Sequence, residues 1–131
     1  MISARAFWAV APGVGVILEE QLAPPATDER LIRAVVSGVS RGTESLVFRG
    51  HVPASQYETM RAPLMGGAFP FPVKYGYAVV GVTEDGRRVF VLHPHQDVFA
   101  APSAMCIPIP DTVPTSRAVL AANLETAINI C

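Results

Sequence analysis

Two imidazoles lie close together in the segment His93-Pro94-His95, and imidazole is a common ligand of zinc. Alternation along a strand would bring both rings to one face. A catalytic zinc site needs a third protein ligand, and the neighbouring sequence offers no further cysteine or histidine. The pair therefore predicts either a zinc site built on these rings or, as we favour, a turn that closes a strand or lines a cleft.

The cysteine and glycine residues limit which disulfide, zinc and dinucleotide sites the chain can form. Cys106 and Cys131 are too few for a disulfide framework or a four-cysteine zinc site, which is typical of a protein in reducing surroundings. Gly13 and Gly15 precede a predicted strand and lack the third glycine of a dinucleotide-binding turn. We therefore expect this chain alone not to bind a dinucleotide tightly.

Charge and hydrophobicity exclude some classes of partner. Ten basic and 11 acidic residues leave a net charge of −1, so a basic face for nucleic acid or an anionic membrane is not expected. No segment is long and apolar enough for a signal peptide or a membrane span, which predicts a soluble, cytoplasmic protein. Hydrophobic residues make up 50% and charged residues 16%, which predicts a homo-oligomer formed through exposed apolar surface.

The elements that must position these groups are mostly strands. Prolines and glycines recur every few residues between short β-branched runs, and this pattern favours a mainly β fold. Asp85-Gly86 is typical of a hairpin turn between two of the strands. The predicted strands are 4–10, 15–22, 31–39, 75–83, 88–92 and an edge strand at 107–109.

Two helices are predicted. Good helix formers favour a short helix over 42–48, which Thr43 could cap and Gly50 could end. Apolar residues at helical spacing predict a second helix over 116–130. Because this second helix has no stop signal, we expect the sequence to be part of a longer, truncated architecture.

The stretch 51–71 is predicted to be an irregular loop with at most one helical turn at 56–61. Its apolar side chains could form the wall of a substrate site or could cover the mouth of the β structure. These side chains are Met60, Met65, Phe69 and Phe71.

Five short motifs follow one another at a characteristic spacing. They are Ser37-Gly38-Val39, Gly42-Thr43-Glu44, Phe48-Arg49-Gly50, Gly76-Tyr77-Ala78-Val79-Val80-Gly81 and Asp85-Gly86-Arg87-Arg88-Val89. Together they resemble the GroES-like, N-terminal, substrate-side domain of the medium-chain dehydrogenases/reductases, the zinc-type alcohol dehydrogenase superfamily. Segments 39–44, 71–77 and 92–96 are similar, more narrowly, to bacteriochlorophyllide a dehydrogenase.

The resemblance implies a fold and a function. The fold is a GroES-like, partly open β-barrel with short helices and a C-terminal helix over residues 1–131, and the Rossmann coenzyme domain is absent from this chain. The complete enzyme is expected to be an oxidoreductase that transfers hydride between NAD or NADP and a small carbonyl or alcohol substrate. The missing Rossmann domain is then a partner, and this chain alone is expected to be inactive.

The zinc ligands of that family do not occur at the matching positions. The cysteine position falls on Arg41, or on Ser40 with a one-residue insertion, and the histidine position falls on Tyr77. Ala78 stands where the neighbouring glutamate is usual. Guanidinium and neutral phenol are not zinc ligands at neutral pH, so no zinc is expected.

A member of this family without zinc must stabilise a developing alkoxide by hydrogen bonds. Thr43, which matches the family's proton-relay hydroxyl, and Tyr77, at the vacated ligand position, are the candidate catalytic residues. The alternatives are a helix cap for Thr43 and a cross-strand packing residue for Tyr77.

Other residues are candidates for binding. Arg41, with Arg49 and Lys74, could meet an anionic group of the substrate, although solvated surface charge is the commoner use of such residues. His93 and His95 could line the substrate cleft. Thr126, on the C-terminal helix, is a candidate cofactor contact near the nicotinamide. The rival interpretation is a stand-alone GroES-like module that binds or assembles without catalysis.

Overall fold

A computed structural model of the chain describes residues 1–130, so Cys131 lies outside the described residues. The predicted fold class is confirmed: the chain is mainly β, with short helices and a C-terminal helix. Two antiparallel sheets form, with the orders β2-β1-β5-β4 and β8-β3-β6-β7-β9. Within residues 1–130 the strands are β1 Ile2–Ala11, β2 Val14–Leu22, β3 Glu29–Ser37, β4 Gly66–Gly67, β5 Val73–Lys74, β6 Val79–Thr83, β7 Arg88–Val91, β8 Val98–Pro102 and β9 Ile107–Pro108.

The first sheet is built on the β1–β2 hairpin. Gly13, at φ 70°, supplies the left-handed turn residue between the two strands. Small residues of β1, namely Ala4, Ala6 and Ala9, are buried, while most of β2 is exposed at the edge of the sheet. Ala4 and Ala6 share one face of β1 and Ala9 lies on the other, while β2 is left open to solvent.

The second sheet holds the main core. Strand β3 pairs with β6 on one side and with β8 on the other. Ile32, Val79, Val91 and Phe99 are almost fully buried where these strands pack. As predicted, β6 and β7 form a hairpin, with Gly86 at φ 85° in its turn.

The strand predicted over 75–83 is shorter in the structure, where only Val79–Thr83 forms a strand. Val73–Lys74 pairs in the first sheet, whereas the second-sheet strand begins only at Val79. Gly76, at φ 149°, lies where the chain crosses from one sheet to the other, a conformation that β-branched strand residues do not adopt. The crossing brings the first sheet against the end of β3.

Helix α1 spans Thr43–Arg49, and Gly50 ends it at φ 72° as predicted. The prediction that Thr43 caps this helix is wrong, because Gly42 is the N-cap and Thr43 is the first helical residue. The predicted C-terminal helix is two helices, α2 Thr115–Ala118 and α3 Ala121–Ile130. Within residues 1–130, no helix is both long and apolar enough to cross a membrane.

The long loop contains a 3₁₀ turn at Ala54–Gln56 and then irregular chain. Its apolar side chains pack on a buried cluster of Val47, Val52, Val73 and Tyr75. The structure thus shows these side chains packed against a core cluster, and the substrate-wall alternative stays a prediction. The packing side chains are those of Tyr57, Met60, Met65, Phe69 and Phe71.

Candidate active site

A cavity of about 440 Å³ opens between helix α1, the end of β3 and the first sheet. Its walls are largely apolar, and its polar groups lie in one corner and along one rim. Such a cavity, apolar with a few convergent polar groups, is typical of a small-molecule site. The lining residues are Phe7, Ala9, Ser37, Val39, Ser40, Arg41, Glu44, Ser45, Val47, Phe48, Val73, Tyr75 and His95.

The polar corner is a hydrogen-bonded pair, Ser37 and His95. Ser37 is the last residue of β3, and His95 follows β7 in the segment that leads to β8. Ser37 Oγ lies 2.6 Å from His95 Nδ1. The imidazole is mostly buried, so the pair faces the cavity rather than bulk solvent.

Glu44 holds the other side of this imidazole. It lies in the first turn of α1, its side chain is 9% exposed, and Oε1 is hydrogen-bonded to His95 Nε2. Glu44 Oε2 accepts a hydrogen bond of 2.5 Å from the backbone N–H of Ser40. Both carboxylate oxygens are therefore engaged, and this fixes the carboxylate against the ring.

Gly76 makes room for the His95 ring. A Cβ built at Gly76 would lie 2.9 Å from His95 Nε2 and 3.0 Å from Cδ2, and the backbone φ of 149° is unfavourable for any L side chain. We expect Gly76→Ala to displace the ring from Glu44 and to lower the free energy of unfolding by about 2 kcal/mol, measured by urea denaturation.

Gly42→Ala is the matched control for that variant. The Cβ at Gly42 would meet nothing within 4 Å, and its φ of −80° is open to any residue. Gly42 has helical φ and ψ and makes no side-chain cap, so a change of no more than about 1 kcal/mol in either direction is expected there. Equal losses in the two variants would contradict the assigned close approach at Gly76.

His93 and His95 lie in different surroundings, although one residue separates them. His93 is 4% exposed, its ring stacks on Phe99 at 3.7 Å between centroids, and Nδ1 is 2.9 Å from the Pro94 carbonyl oxygen. Burial lowers the pKa of His93 to about 4. The structure thus places His95 at the cavity and His93 in the core.

The solved structures that match this chain over most of its length include two oxidoreductases. The quinone oxidoreductase of Thermus thermophilus, also solved with NADPH, is 20% identical with a TM-score of 0.64, over 95% of this chain and 40% of that one. A protein described as a short chain alcohol dehydrogenase (RspB) of Escherichia coli, solved with NADH, is 17% identical with a TM-score of 0.73, over 97% and 44%.

A third match is the human synaptic vesicle membrane protein VAT-1 homolog-like protein, 18% identical with a TM-score of 0.71, over 99% of this chain and 43% of that one. This chain has the fold of part of these proteins. It spans about two-fifths of their length. No protein-family model matches the chain, and no curated protein matches it either.

The sequence-predicted site residues are only partly brought together. Arg41 and His95 line the cavity, with Arg41 exposed at its rim. Thr43 begins α1, and its backbone N–H donates to Ser40 Oγ at 3.2 Å. Thr126 is exposed on α3, and its Oγ1 donates to the Ala122 carbonyl oxygen at 3.1 Å. Among residues 1–130, the cavity wall includes neither Thr43 nor Thr126.

Tyr77 packs beside the cavity floor rather than in its wall. Its ring meets that of Tyr75 edge to face at 6.4 Å, in the cluster that the long loop covers. Burial, followed by the neighbouring Tyr77 and Glu44, raises the pKa of Tyr75 to about 12, and its hydroxyl donates to the Met60 carbonyl oxygen at 2.8 Å. Tyr75 therefore offers the cavity an apolar ring face.

Lys74 does not face the cavity as an anion-binding group. Its Nζ donates to Glu20 Oε1 at 2.8 Å and to Gln96 Oε1 at 2.7 Å. Trp8 Nε1 donates to the same Glu20 carboxylate at 2.9 Å. The Lys74 ammonium is thus neutralised inside the first sheet, and the suggestion that it meets an anionic substrate is wrong.

A metal ion and a dinucleotide each need a particular arrangement of groups. Within residues 1–130, no group of three or more His, Cys, Asp or Glu side chains is arranged to hold a metal ion. The turn at Gly13 joins two strands, whereas a pyrophosphate site needs a glycine-rich turn before a helix.

Proposed function

We propose that this chain is the substrate-side part of an NAD(P)-dependent oxidoreductase of the medium-chain dehydrogenase/reductase type, acting on a small carbonyl or alcohol. The observation that carries the proposal is the apolar cavity with one hydroxyl–imidazole corner, in a fold shared with part of two solved oxidoreductases. A single polar corner suits a molecule with one oxygen to be recognised and an otherwise apolar body.

In this proposal, the dinucleotide binds to a part of the protein that lies outside this chain. It supplies hydride chemistry when bound there, while the described residues bind and orient the substrate. Because mostly apolar side chains surround the polar corner, hydrogen bonds made there are expected to be stronger than in solvent.

Zinc-independence is part of the same proposal, because Arg41 and Tyr77 occupy the ligand positions. Thr43 and Tyr77 stay candidate hydroxyl donors, and a domain movement or a bound substrate must bring them to the cavity. Placement of the chain within the GroES-like group, its similarity to bacteriochlorophyllide a dehydrogenase, and a cytoplasmic location remain predictions.

The test is to express the chain together with the coding sequence downstream of it and to follow oxidation of NADH and NADPH spectroscopically. Quinones, aldehydes and ketones are supplied in turn. Activity with one of these substrate classes is the expected result. A downstream sequence without a strand and glycine-rich turn, or no nucleotide-dependent turnover with any class, would contradict the proposal.

A variant that fills the cavity ties the activity to this site. Val39 lines the cavity but is 74% exposed, so Val39→Trp is expected to block substrate and to remove most of the turnover without lowering the melting temperature. Ile107→Trp, at a 54% exposed position on β9, is the control. Equal turnover in the two variants would place the substrate elsewhere.

We also propose that the chain self-associates through its exposed apolar side chains. Val35, Leu124 and Ile128 are each at least 60% exposed, and isolated surfaces of this kind favour association. Light scattering after size exclusion should give at least a dimer, whereas a monomer at micromolar concentration would contradict this part.

A further inference from the structure

We propose that Ser37, His95 and Glu44 form an acid–base relay that exchanges a proton with the hydroxyl or carbonyl oxygen of a small, largely apolar molecule in the cavity. Nothing in the sequence motifs selected Ser37 or Glu44 for chemistry. The inference takes its substrate class from the proposed function, but the relay itself rests on geometry and can be tested on this chain alone.

The hydroxyl end of the relay is open to the cavity. Ser37 and His95 line both the cavity and the adjoining, more open groove, so a ligand can reach the hydroxyl. The 2.6 Å distance between Ser37 Oγ and His95 Nδ1 is short for a hydrogen bond to nitrogen. Proton transfer between two groups needs such a contact, and here it exists before any ligand arrives.

The Glu44 carboxylate determines which ring nitrogen of His95 carries the hydrogen. A carboxylate only accepts hydrogen bonds, so Glu44 Oε1 takes the hydrogen on His95 Nε2. A neutral ring that carries its hydrogen on Nε2 has an acceptor at Nδ1, which faces the Ser37 hydroxyl. The Glu44 carboxylate is held in turn by the Ser40 backbone N–H. A base oriented by a third group is the arrangement that activates a hydroxyl.

Most of the surface around a bound ligand is apolar. Phe7, Ala9, Val47 and Val73 form apolar wall, where an unpartnered ligand oxygen is costly. Charged groups near the imidazole include Arg41 in the cavity wall, Lys74, which is bonded to Gln96 beside His95, and Asp97, which is paired with Arg5. The wall also holds the hydroxyls of Ser40 and Ser45, but of these three serines only Ser37 is hydrogen-bonded to the imidazole, so the ligand oxygen is expected to bind there.

The proton step is balanced without any other reactant. The ligand's O–H bond breaks as its proton moves to Ser37 Oγ, and the Ser37 proton moves to His95 Nδ1. The products are a ligand oxyanion and an imidazolium, whose charge faces the Glu44 carboxylate. The reverse sequence returns the proton to the oxyanion. Ser37 is the catalytic residue, and His95 and Glu44 act through it.

The first measurement uses 4-nitrophenol, a small phenol whose phenolate form absorbs visible light. At a pH where the free probe is mostly phenol, binding to the wild-type chain should increase the phenolate absorbance. In Ser37→Ala and His95→Gln, the ratio of bound phenolate to bound phenol should fall about tenfold, the change that one unit of pKa represents. Glu44→Gln keeps a hydrogen-bonding group without the charge and should lower the same ratio.

Ser116→Ala is the matched serine control, because Ser116 is exposed on α2 away from the cavity. It should leave the phenolate ratio unchanged. Circular dichroism of each variant shows whether the fold is kept. If Glu44→Gln unfolds, Ser37→Ala alone still decides the question, since it removes one oxygen from a half-buried strand end.

The second measurement is nitrogen NMR of the imidazoles in the same protein. Saturating 4-nitrophenol should increase the protonation of His95 Nδ1 relative to the protein without probe. His95→Gln assigns the signal. Failure of the wild-type protein to bind the probe, binding as neutral phenol only, or an unchanged ratio in Ser37→Ala would each overturn the relay.

The two proposals can fail separately. If the probe results hold but the extended protein transfers no hydride, the oxidoreductase proposal fails while the relay stands. If hydride transfer occurs but Ser37→Ala has the same probe spectrum as the wild-type protein, the relay is wrong and another group supplies the proton.

Discussion

The Lys74→Ala variant is expected to lose about 3 kcal/mol of unfolding free energy, measured by urea denaturation. Lys74 and Glu20 form an ion pair whose side chains are 11% and 22% exposed. Removing the ammonium leaves the Glu20 carboxylate with the Trp8 N–H, and it leaves Gln96 Oε1 without its Lys74 donor. An uncompensated charge inside a sheet is costly because protein replaces water around it.

An exposed pair between β1 and the segment before β8 serves as the comparison. The side chains of Arg5 and Asp97 are 67% and 41% exposed, and the Arg5 backbone N–H still binds Asp97 after the side chain is removed. Arg5→Ala should therefore cost about 1 kcal/mol or less. A similar loss for both variants would mean that burial does not set the strength of the Lys74–Glu20 pair.

Acidification from pH 6.5 to pH 4 is expected to remove about 3 kcal/mol of stability through His93 alone. Burial lowers the pKa of His93 to about 4 in the folded protein, whereas the unfolded chain protonates at the ordinary value of 6.5. In this window the unfolded state binds the additional proton, so stability falls as the pH falls. Well below pH 4 both states are protonated and this contribution no longer changes.

The pH dependence can be assigned by comparing unfolding at pH 7 and pH 4.5. His93→Phe keeps an aromatic ring against Phe99 but cannot protonate, so its stability should differ much less between the two pH values. His51→Gln, at an exposed loop position, should keep the wild-type difference. Hydrogen bonds lower the pKa values of Asp85 and Asp97, and their stabilisation is lost at still lower pH. Unchanged pH dependence in His93→Phe would refute the assignment.

The local sequence pattern was sufficient to predict much of the fold. The β-branched runs and the Asp85-Gly86 turn predicted the β6–β7 hairpin, and Gly50 predicted the end of α1. Strand β8 was not predicted, because its Val-Phe-Ala-Ala-Pro sequence lacks alternation and becomes a strand only by pairing with β3. The crossing at Gly76 was missed for a similar reason, since two sheets share one apolar run.

Only part of the candidate site could be predicted from the sequence. Arg41 and His95 were selected, and both line the cavity. Ser37 and Glu44 were noticed only as parts of motifs, because 58 residues separate Ser37 from its imidazole partner and only the fold brings them together. A strand ending in a hydroxyl residue, followed by a carboxylate early in a helix, was the available signal, although it does not identify which histidine completes the set.

Helix α3 is packed less tightly than the two sheets. None of residues 121–130 is buried, and helices of about ten residues are marginal in water on their own. Its backbone amides should therefore exchange hydrogen for deuterium within the dead time of a manual experiment, whereas those of β3 and β6 are protected for hours. A molecule that binds over Leu124 and Ile128 will therefore slow amide hydrogen exchange in this segment.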